Sequence, residues 1–176
     1  DEDAPWGDAT SEAAIPASAT ATARIVSRVD GVLAGGLALE LAFTRVDPGV
    51  RVERHLADGD PLAPGAVVAT ITGSARSILR GERVALNLAQ RLSGVATLTR
   101  RYVDAVAGAV SATGHPVRLV DTRKTTPGLR VLEKAAVRAG GGHNHRFSLS
   151  DAVMLKDNHL AVLQSQGLDL TGAIRA

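Results

Sequence analysis

The chain has 176 residues, of which 45% are hydrophobic and 22% are charged, and its formal net charge is +2. This composition is typical of a globular protein and excludes a disordered tail. No apolar run reaches the roughly 18 residues that cross a bilayer, so we expect no membrane segment. The chain has no cysteine, which excludes disulfides, thiolate zinc sites and cysteine nucleophiles and favours a cytoplasmic location.

Positive charge is concentrated in the C-terminal part of the chain. Between Arg118 and His159 there are eight Arg or Lys residues against four Asp or Glu. Only four aromatic residues occur in the whole sequence. Single-stranded nucleic acid is usually held by aromatic stacking over a basic groove, so we expect no nucleic-acid partner. A concentrated positive cluster equally suits a small polyanionic substrate.

The first half of the chain is predicted to form a small β-rich layer. Residues 19–35 are typical of a β-hairpin because Asp30-Gly31 is a type I′ turn signal. A short helix is predicted over residues 37–43, and strands are predicted over residues 50–56 and 66–72.

The turn-rich segment between the last two strands, residues 58–65, resembles a turn of lipoyl and biotinyl carrier domains. Those domains attach their cofactor to a lysine on a hairpin. Lys124 is the first lysine of this chain, so carrier function is excluded and the turn is interpreted as structural.

A long helical pattern follows over residues 75–107, where apolar side chains recur every three or four positions. Ser93-Gly94 is a plausible break between two helices, and Gly108 is a natural stop. We therefore predict one domain over residues 1–112 and a second over residues 113–176.

From residue 117 the pattern changes to apolar strands that end in charged loops. A strand over residues 117–120 is followed by Asp121-Thr122-Arg123-Lys124, and one over residues 152–155 is followed by Lys156-Asp157-Asn158-His159. The carboxyl ends of the strands line the active site of a parallel α/β barrel, so these loops are predicted to be catalytic. A pair of solvated loops is the alternative interpretation.

A helix is predicted between the two strands, with Thr126 as its N-cap and Pro127 as its first residue. Gly140-Gly141-Gly142 follows this helix, whereas a phosphate-binding loop precedes one, so the glycines indicate a helix stop. Lys134 lies close to Glu133 on the same helix and is interpreted as structural.

Lysine is rare in this sequence, with three lysines against seventeen arginines. They are Lys124, Lys134 and Lys156. A lysine that persists in so arginine-rich a chain is a candidate for a position that needs a compact point charge. Chance is the alternative explanation for each.

Five segments carry a resemblance to a known family, and they occur in that family's order. They are G-D-A-T-S at 7–11, G-E-R-V-A-L-N-L-A-Q-R-L-S-G-V-A-T at 81–97, D-T-R-K-T-T-P-G-L-R at 121–130, G-G-G-H-N-H-R at 140–146 and L-K-D-N-H at 155–159. Over essentially its whole length the chain resembles quinolinate phosphoribosyltransferase, also called nicotinate-nucleotide pyrophosphorylase (carboxylating). A related molybdenum-associated branch lacks the intact D-T-R-K and K-D-N-H forms and is the weaker assignment.

The resemblance implies a fold and a reaction. The fold is an N-terminal α/β sandwich domain followed by an open, incomplete α/β barrel, of which this chain contains the first part and therefore looks truncated. The reaction is that of a pentosyltransferase. It joins quinolinate to phosphoribosyl pyrophosphate and yields nicotinate mononucleotide, pyrophosphate and CO2 in NAD biosynthesis. It requires Mg2+, whose ligands are expected beyond residue 176, with none within this chain.

The resemblance also implies which residues bind the substrates. Arg123, His145 and Arg146 match residues that bind the quinolinate carboxylates, and Lys156 matches a lysine in the same cationic pocket. Lys124 matches a lysine placed towards phosphoribosyl pyrophosphate. Thr122, in the same loop, supplies further contacts. Lys124 and Lys156 are the catalytic candidates.

A homodimer is implied as well, because Arg83 matches an arginine that reaches into the neighbouring subunit's site. The alternative for Arg83 is a helix-surface charge paired with the adjacent Glu82. Asn158 and His159 complete a family signature, and we assign them no role.

Three other hypotheses remain open. His143, His145 and His159 could form a zinc site, although two histidines separated by one residue are weak evidence. The protein could be a non-catalytic carboxylate- or phosphate-binding relative on the same scaffold. A nucleic-acid-binding module is supported only by the high isoelectric point.

Overall fold

The computed structural model describes residues 2–175 of the chain. These divide into two compact units, one that ends at His145 and one that begins at Arg146. Within residues 2–175, no helix combines the length and the apolar character needed to span a membrane.

The first unit contains two small sheets and four helices among its described residues. Its elements in chain order are α1 (Ala9–Ala14), β1 (Thr20–Val26), β2 (Gly31–Val32), α2 (Gly36–Thr44), β3 (Arg51–Arg54), β4 (Pro61–Leu62), β5 (Val67–Ser74), α3 (Ala75–Ala105) and α4 (Arg130–Ala139). The predicted short helix over residues 37–43 and the strands over 50–56 and 66–72 are confirmed as α2, β3 and β5.

The main sheet has the strand order β1-β5-β3, and both pairings are antiparallel. Thr22 and Arg51 both lie opposite Thr72, so β5 is the central strand. Its buried face packs against α2 and α3 around a shared apolar core. The buried core residues are Leu39, Phe43, Val50, Ala69, Ile71, Ile78, Ala85 and Ala89.

The predicted hairpin over residues 19–35 is wrong. β1 pairs with β5, and β2 pairs with β4 in a separate two-stranded sheet. Gly31 lies where the backbone passes close to α3, since a Cβ there would be 2.7 Å from Thr97 Oγ1. The Val32 N–H donates to the same hydroxyl at 2.9 Å. The glycine after Asp30 therefore allows a close approach and does not form a hairpin turn.

The predicted break at Ser93-Gly94 is also wrong, because α3 is continuous from Ala75 to Ala105. Ser93 Oγ accepts from the Ala34 N–H at 3.1 Å and donates to the Ala34 carbonyl at 3.2 Å. The hydroxyl thus bonds across to the segment before α2 and does not compete with the helix backbone. The helix ends at Ala105 with Val106 as its C-cap, close to the predicted stop at Gly108.

Neither predicted barrel strand forms in the described residues. Residues 117–120 contribute a single parallel bridge, between Val120 and His143, and residues 152–155 form no strand. Parallel strands are normally paired at both edges and covered on both faces. Here Val120 pairs with His143 alone, and Val153 is 91% exposed.

The helix after the first charged loop begins later than predicted. Thr126 to Leu129 form a turn in which the Leu129 N–H donates to the Thr126 carbonyl at 3.0 Å and Gly128 has φ +81°. Pro followed by a left-handed Gly is the pattern of a type II turn, so Leu129 caps α4 in place of Thr126. The predicted helix stop is confirmed, since α4 ends at Ala139 and Gly140 is its C-cap.

The second unit contains α5 (Asp157–Ser165) and α6 (Leu170–Arg175). Before α5, the Asp151 carboxylate accepts from the Phe147 N–H at 2.5 Å and from the Ser148 N–H at 3.1 Å. The α/β class with an N-terminal sheet domain is confirmed. The barrel and the division after residue 112 stay predictions.

Candidate active site

The D-T-R-K segment forms a loop with its own hydrogen bonds. The Lys124 N–H donates to Thr122 Oγ1 at 3.1 Å, and the Thr125 N–H donates to the Arg123 carbonyl at 3.0 Å. Arg130 extends from α4 to this loop, and its Nε donates to Thr125 Oγ1 at 3.1 Å. Thr122 and Lys124 are exposed while Arg123 is half-buried, so the loop presents a hydroxyl and a cation to solvent.

Arg123 has an unsatisfied donor. Its Nε is buried and has no hydrogen-bond partner among residues 2–175. A buried guanidinium N–H without an acceptor is costly, because it has lost water and gained nothing in exchange. A carboxylate ligand would satisfy this donor through a charge-assisted hydrogen bond once the half-buried side chain turns towards solvent. Arg123 is therefore suited to bind an anion.

Asp121 joins this loop to the segment that carries His145. Asp121 Oδ1 accepts from Lys134 Nζ at 2.5 Å and from the His145 N–H at 2.8 Å. Asp121 Oδ2 accepts from Asn144 Nδ2 at 2.6 Å. The structure therefore connects the backbones next to Arg123 and His145 through one carboxylate.

The roles of Asp121 and Asn144 were not predicted from the sequence. Lys134, interpreted from the sequence as a structural residue close to Glu133, forms its ion pair with Asp121. The side chains of Lys134 and Asp121 are only 4% and 8% exposed. The sequence did contain one signal for this pair. Asp121 is the only acid in the D-T-R-K segment, and a buried cation such as Lys134 needs an anion as its partner.

Glu133 anchors the far end of the loop. Its Oε1 accepts from Arg91 Nη2 at 2.6 Å, and its Oε2 accepts from the Thr126 N–H at 3.1 Å. Burial by itself raises the pKa of Glu133, but hydrogen bonds from Arg91 and Thr126 outweigh this effect and lower the pKa below its ordinary value. Glu133 is thus a charged anchor that ties the loop to α3.

Arg146 and Lys156 belong to the second unit. Arg146 Nη1 donates to the Ala152 carbonyl at 3.0 Å. Lys156 is exposed at the N-terminus of α5, where its N–H donates to His159 Nδ1 at 3.3 Å. His159, to which the sequence analysis assigned no role, therefore caps this helix. The predicted grouping of Lys156 with Arg123 stays a prediction.

Arg83 is exposed on α3 and lies on a groove of about 980 Å3 that is also lined by residues of β1. Among residues 2–175 it forms no ion pair with Glu82, the partner named in the alternative interpretation. Its predicted reach into a neighbouring subunit stays a prediction.

Neither the histidines nor the acidic residues next to the loop form a metal site in the described residues. No group of three or more His, Asp or Glu side chains is placed to hold a metal ion within the part of the chain that the structure describes. Asp121 and Glu133, the acids next to the loop, already accept hydrogen bonds from several donors each. These two carboxylates do not fit a Mg2+ site, whose oxygen ligands must be free to coordinate.

Comparison with known proteins identifies two family domains along the chain. Residues 8–93 match the quinolinate phosphoribosyl transferase N-terminal domain, and residues 95–175 match the C-terminal domain of the same family. The chain is 47% identical over 164 residues to the probable nicotinate-nucleotide pyrophosphorylase [carboxylating] of Bacillus subtilis, covering 93% of this chain and 54% of that protein. It is 42% identical over 161 residues to the mitochondrial quinolinate phosphoribosyltransferase [decarboxylating] 2a of Nicotiana tabacum, covering 92% and 44%.

Solved structures agree with the sequence matches. The crystal structure of NadC from Streptococcus pyogenes superposes with a TM-score of 0.87 at 41% identity, covering 99% of this chain and 59% of that one. The nicotinate-nucleotide pyrophosphorylase from Francisella tularensis superposes with a TM-score of 0.82 at 34% identity, covering 93% and 56%. The chain thus spans about half the length of the relatives it matches. It belongs to the quinolinate phosphoribosyl transferase family.

Proposed function

We propose that the protein containing this chain transfers a phosphoribosyl group from phosphoribosyl pyrophosphate to quinolinate, with decarboxylation, and so acts as a pentosyltransferase in NAD biosynthesis. The observation that carries the proposal is the buried, unpartnered Nε of Arg123 in a loop that Asp121 joins to His145. Quinolinate is a pyridine 2,3-dicarboxylate, and its carboxylates are acceptors of the kind this donor lacks.

The two substrates call for different cationic groups. Arg123, His145 and Arg146 are proposed to bind the quinolinate carboxylates, with Lys156 in the same pocket. Lys124 and Thr122 are proposed to contact phosphoribosyl pyrophosphate, and their exposure on one loop supports this assignment. A guanidinium fork suits a planar carboxylate, and an ammonium suits a phosphate as a point charge.

The chemistry then depends on position and charge. As pyrophosphate leaves C1 of the ribose, positive charge develops there, and the quinolinate nitrogen attacks the same carbon to form the new N–C bond. The C2–carboxylate bond of the ring breaks next, and the electron pair left on C2 is stabilised by the adjacent ring nitrogen, now positively charged. A proton taken up at C2 completes nicotinate mononucleotide. No side chain acts as a nucleophile, so the residues serve to orient and to neutralise the reactants.

The remaining parts of the proposal concern the assembly and its surroundings. We propose a homodimer in which Arg83 enters the neighbouring subunit's site, supported by its exposure on α3. Mg2+ is proposed to accompany phosphoribosyl pyrophosphate, with protein ligands other than Asp121 and Glu133. A cytoplasmic location is supported by the absence of cysteine.

A coupled product assay tests the reaction. The full-length protein is supplied with Mg2+, phosphoribosyl pyrophosphate and quinolinate labelled at the C2 carboxylate, and labelled CO2 and nicotinate mononucleotide are measured together. We expect equal amounts of the two products. Quinolinate binding without either product would favour the non-catalytic relative, and absence of binding would reject the proposed substrate.

A mixed-dimer experiment tests the shared site. An Arg83→Ala subunit combined with a Lys124→Ala subunit regenerates one site with both groups intact, so we expect activity that neither parent has. A mixed dimer of two Arg83→Ala subunits, carrying the same purification tags, is the control. Assembled mixed dimers as inactive as both parents would contradict the role of Arg83.

A further inference from the structure

The Asp121 carboxylate continues a strand pairing that the backbone leaves unfinished. The His143 N–H donates to the Leu119 carbonyl at 2.9 Å, and the Asp121 N–H donates to the His143 carbonyl at 3.0 Å. In a parallel ladder the next hydrogen bond would run from the N–H of residue 145 to the main-chain carbonyl of residue 121. Here the His145 N–H donates to Asp121 Oδ1 instead, at 2.8 Å. The Asp121 side chain therefore replaces its own main-chain carbonyl as the acceptor of the next ladder hydrogen bond.

Lys134 and Asn144 hold the carboxylate in this position. Lys134 Nζ donates to Asp121 Oδ1 at 2.5 Å and to the His145 carbonyl at 3.2 Å. Asn144 Nδ2 donates to Asp121 Oδ2 at 2.6 Å and to the Lys134 carbonyl at 2.9 Å. Both the N–H and the C=O of His145 are thereby bonded to one buried ion pair. The position of the His145 backbone is therefore tied to that of Asp121.

Charge balance explains why a lysine faces this acid. An unpaired carboxylate beside the D-T-R-K loop would repel an anionic substrate and attract its cations. Pairing with Lys134 neutralises the carboxylate and leaves Arg123 and Lys124 available to a ligand. Lys134 Nζ is itself occupied and buried, so this lysine does not serve as a substrate ligand.

Stability alone is a weak explanation for such a pair. A buried ion pair contributes little net stability, and apolar side chains of similar volume often replace it without loss. This pair lies between two segments that carry the proposed substrate ligands, and it bonds irregular backbone that no sheet supports.

We propose that Asp121, Lys134 and Asn144 form a positioning network for the proposed substrate site. The network holds the backbone of His145 at a fixed distance from the Thr122–Lys124 loop, and it acts through these residues without touching substrate. This inference rests on the function proposed above.

The test compares two ways of removing the charges in the full-length protein. Asp121→Leu combined with Lys134→Met replaces the ion pair by apolar groups and removes the acceptor for the His145 N–H. Asp121→Asn combined with Lys134→Met also removes both charges but keeps an oxygen that can accept from His145. Arg138→Ala, an exposed position one turn further along α4, is the control.

Quinolinate binding is measured by calorimetry, together with kcat, KM and the melting temperature. For the apolar pair we expect an unchanged melting temperature within a few degrees, but a Kd and KM for quinolinate raised at least tenfold. We expect the variant with Asp121→Asn and Lys134→Met to bind quinolinate with a Kd within about threefold of the wild type. Arg138→Ala should match the wild type. A folded apolar pair that binds quinolinate within twofold of the wild type would overturn the proposal.

Asn144→Ala keeps the proposal testable if the apolar pair does not fold, because Asn144 is exposed and its loss leaves the ion pair in place. We expect its Kd for quinolinate to rise at least threefold, and an unchanged Kd would overturn the network. Amide hydrogen exchange at His145 in the free protein provides a readout that needs no substrate. We expect at least tenfold faster exchange in the Asp121→Leu, Lys134→Met variant or, if that variant does not fold, in Asn144→Ala, and unchanged exchange rejects the network. A wild type that fails to bind quinolinate rejects the proposed function separately.

Discussion

The sheet with α3 and the segment from Val117 to His145 are built on different principles. In the first, β5 is paired along both edges and its apolar face is covered by α2 and α3. In the second, one parallel bridge is present and charged side chains make most of the connections between loops. The comparison teaches that hydrophobic burial determines the first region, whereas among the described residues of the second only α4 packs into an apolar core, through Leu132 and Ala136, and hydrogen bonds to ionised groups fix the loops around it. The two regions should therefore respond differently to the same kind of substitution.

The largest effect is expected from a truncation in the first region. Phe43 on α2 is 1% exposed and lies against α3, where the missing side chain of Gly81 leaves room for its ring. Phe43→Ala should lower the free energy of unfolding by about 3–5 kcal/mol, because it removes buried apolar area and leaves a cavity. Chemical denaturation measures this loss.

Leu37→Ala on the same helix is the matched control, since Leu37 is 59% exposed. It should cost about 1 kcal/mol or less. Equal losses for the two variants would show that α2 is not held by its buried face.

A smaller effect, on binding, is expected from Arg123. Arg123→Lys keeps the positive charge but loses the planar fork that a carboxylate accepts, so the affinity for quinolinate should fall by about 1.5–3 kcal/mol. Calorimetric titration of the full-length protein measures this change, and the free energy of unfolding should stay within about 1 kcal/mol of the wild type.

Arg138→Lys, the same exchange at an exposed position on α4, should leave quinolinate affinity unaltered. An unaltered affinity in Arg123→Lys as well would remove Arg123 from the proposed site.

The difference between the two regions also explains what could be predicted from sequence. α2, β5 and α3 follow from apolar periodicity, because each presents a buried face. The strands at 117–120 and 152–155 have the same apolar pattern but lack paired neighbours among the described residues, so local pattern could not predict their state. The pairing of β1 with β5 depends on contacts more than forty residues apart, which a turn signal at Asp30-Gly31 does not report.

The candidate site also contains residues that the sequence indicates and residues that it does not. Arg123, Lys124 and His145 are proposed as ligands from their motifs, because they lie in dense, distinctive segments of the sequence. Asp121 and Asn144 were missed because their role depends on which backbone atoms the fold brings within hydrogen-bond distance. A single sequence contains no information on that distance beyond the charge of the residues themselves.

A pH-dependent effect is expected from Glu133 in the second region. Its pKa is lowered in the folded protein, so its contribution to stability is present above the ordinary carboxyl pKa and is lost as the pH falls through the lower, folded value. Glu133→Gln should lower the free energy of unfolding at pH 7 by about 1–2 kcal/mol, allowing for the half-exposed Arg91 partner. The difference from the wild type should shrink as the pH falls below about 4.

Glu53→Gln is the control, because Glu53 is exposed on β3. Its difference from the wild type should be small at both pH values. Unfolding curves at pH 7 and at pH 3 measure both variants, and a Glu133→Gln deficit that is the same at both would contradict the role of its charge.

The smallest expected effect on the free energy of unfolding comes from a glycine-to-alanine substitution made once in each region. Gly94 lies inside α3 and Gly128 lies in the turn before α4, and a Cβ at either position would meet no atom within 4 Å. Only the backbone therefore distinguishes them, since Gly128 has φ +81° whereas Gly94 is helical. Gly94→Ala should raise the free energy of unfolding by about 0.5–1 kcal/mol, because alanine favours helix and restricts the unfolded chain. Gly128→Ala should lower it by about 1 kcal/mol, because alanine is strained in the left-handed region. Denaturation of the two variants in parallel measures the difference in sign. Stabilisation by Gly128→Ala would show that the turn after the D-T-R-K loop is not a type II turn.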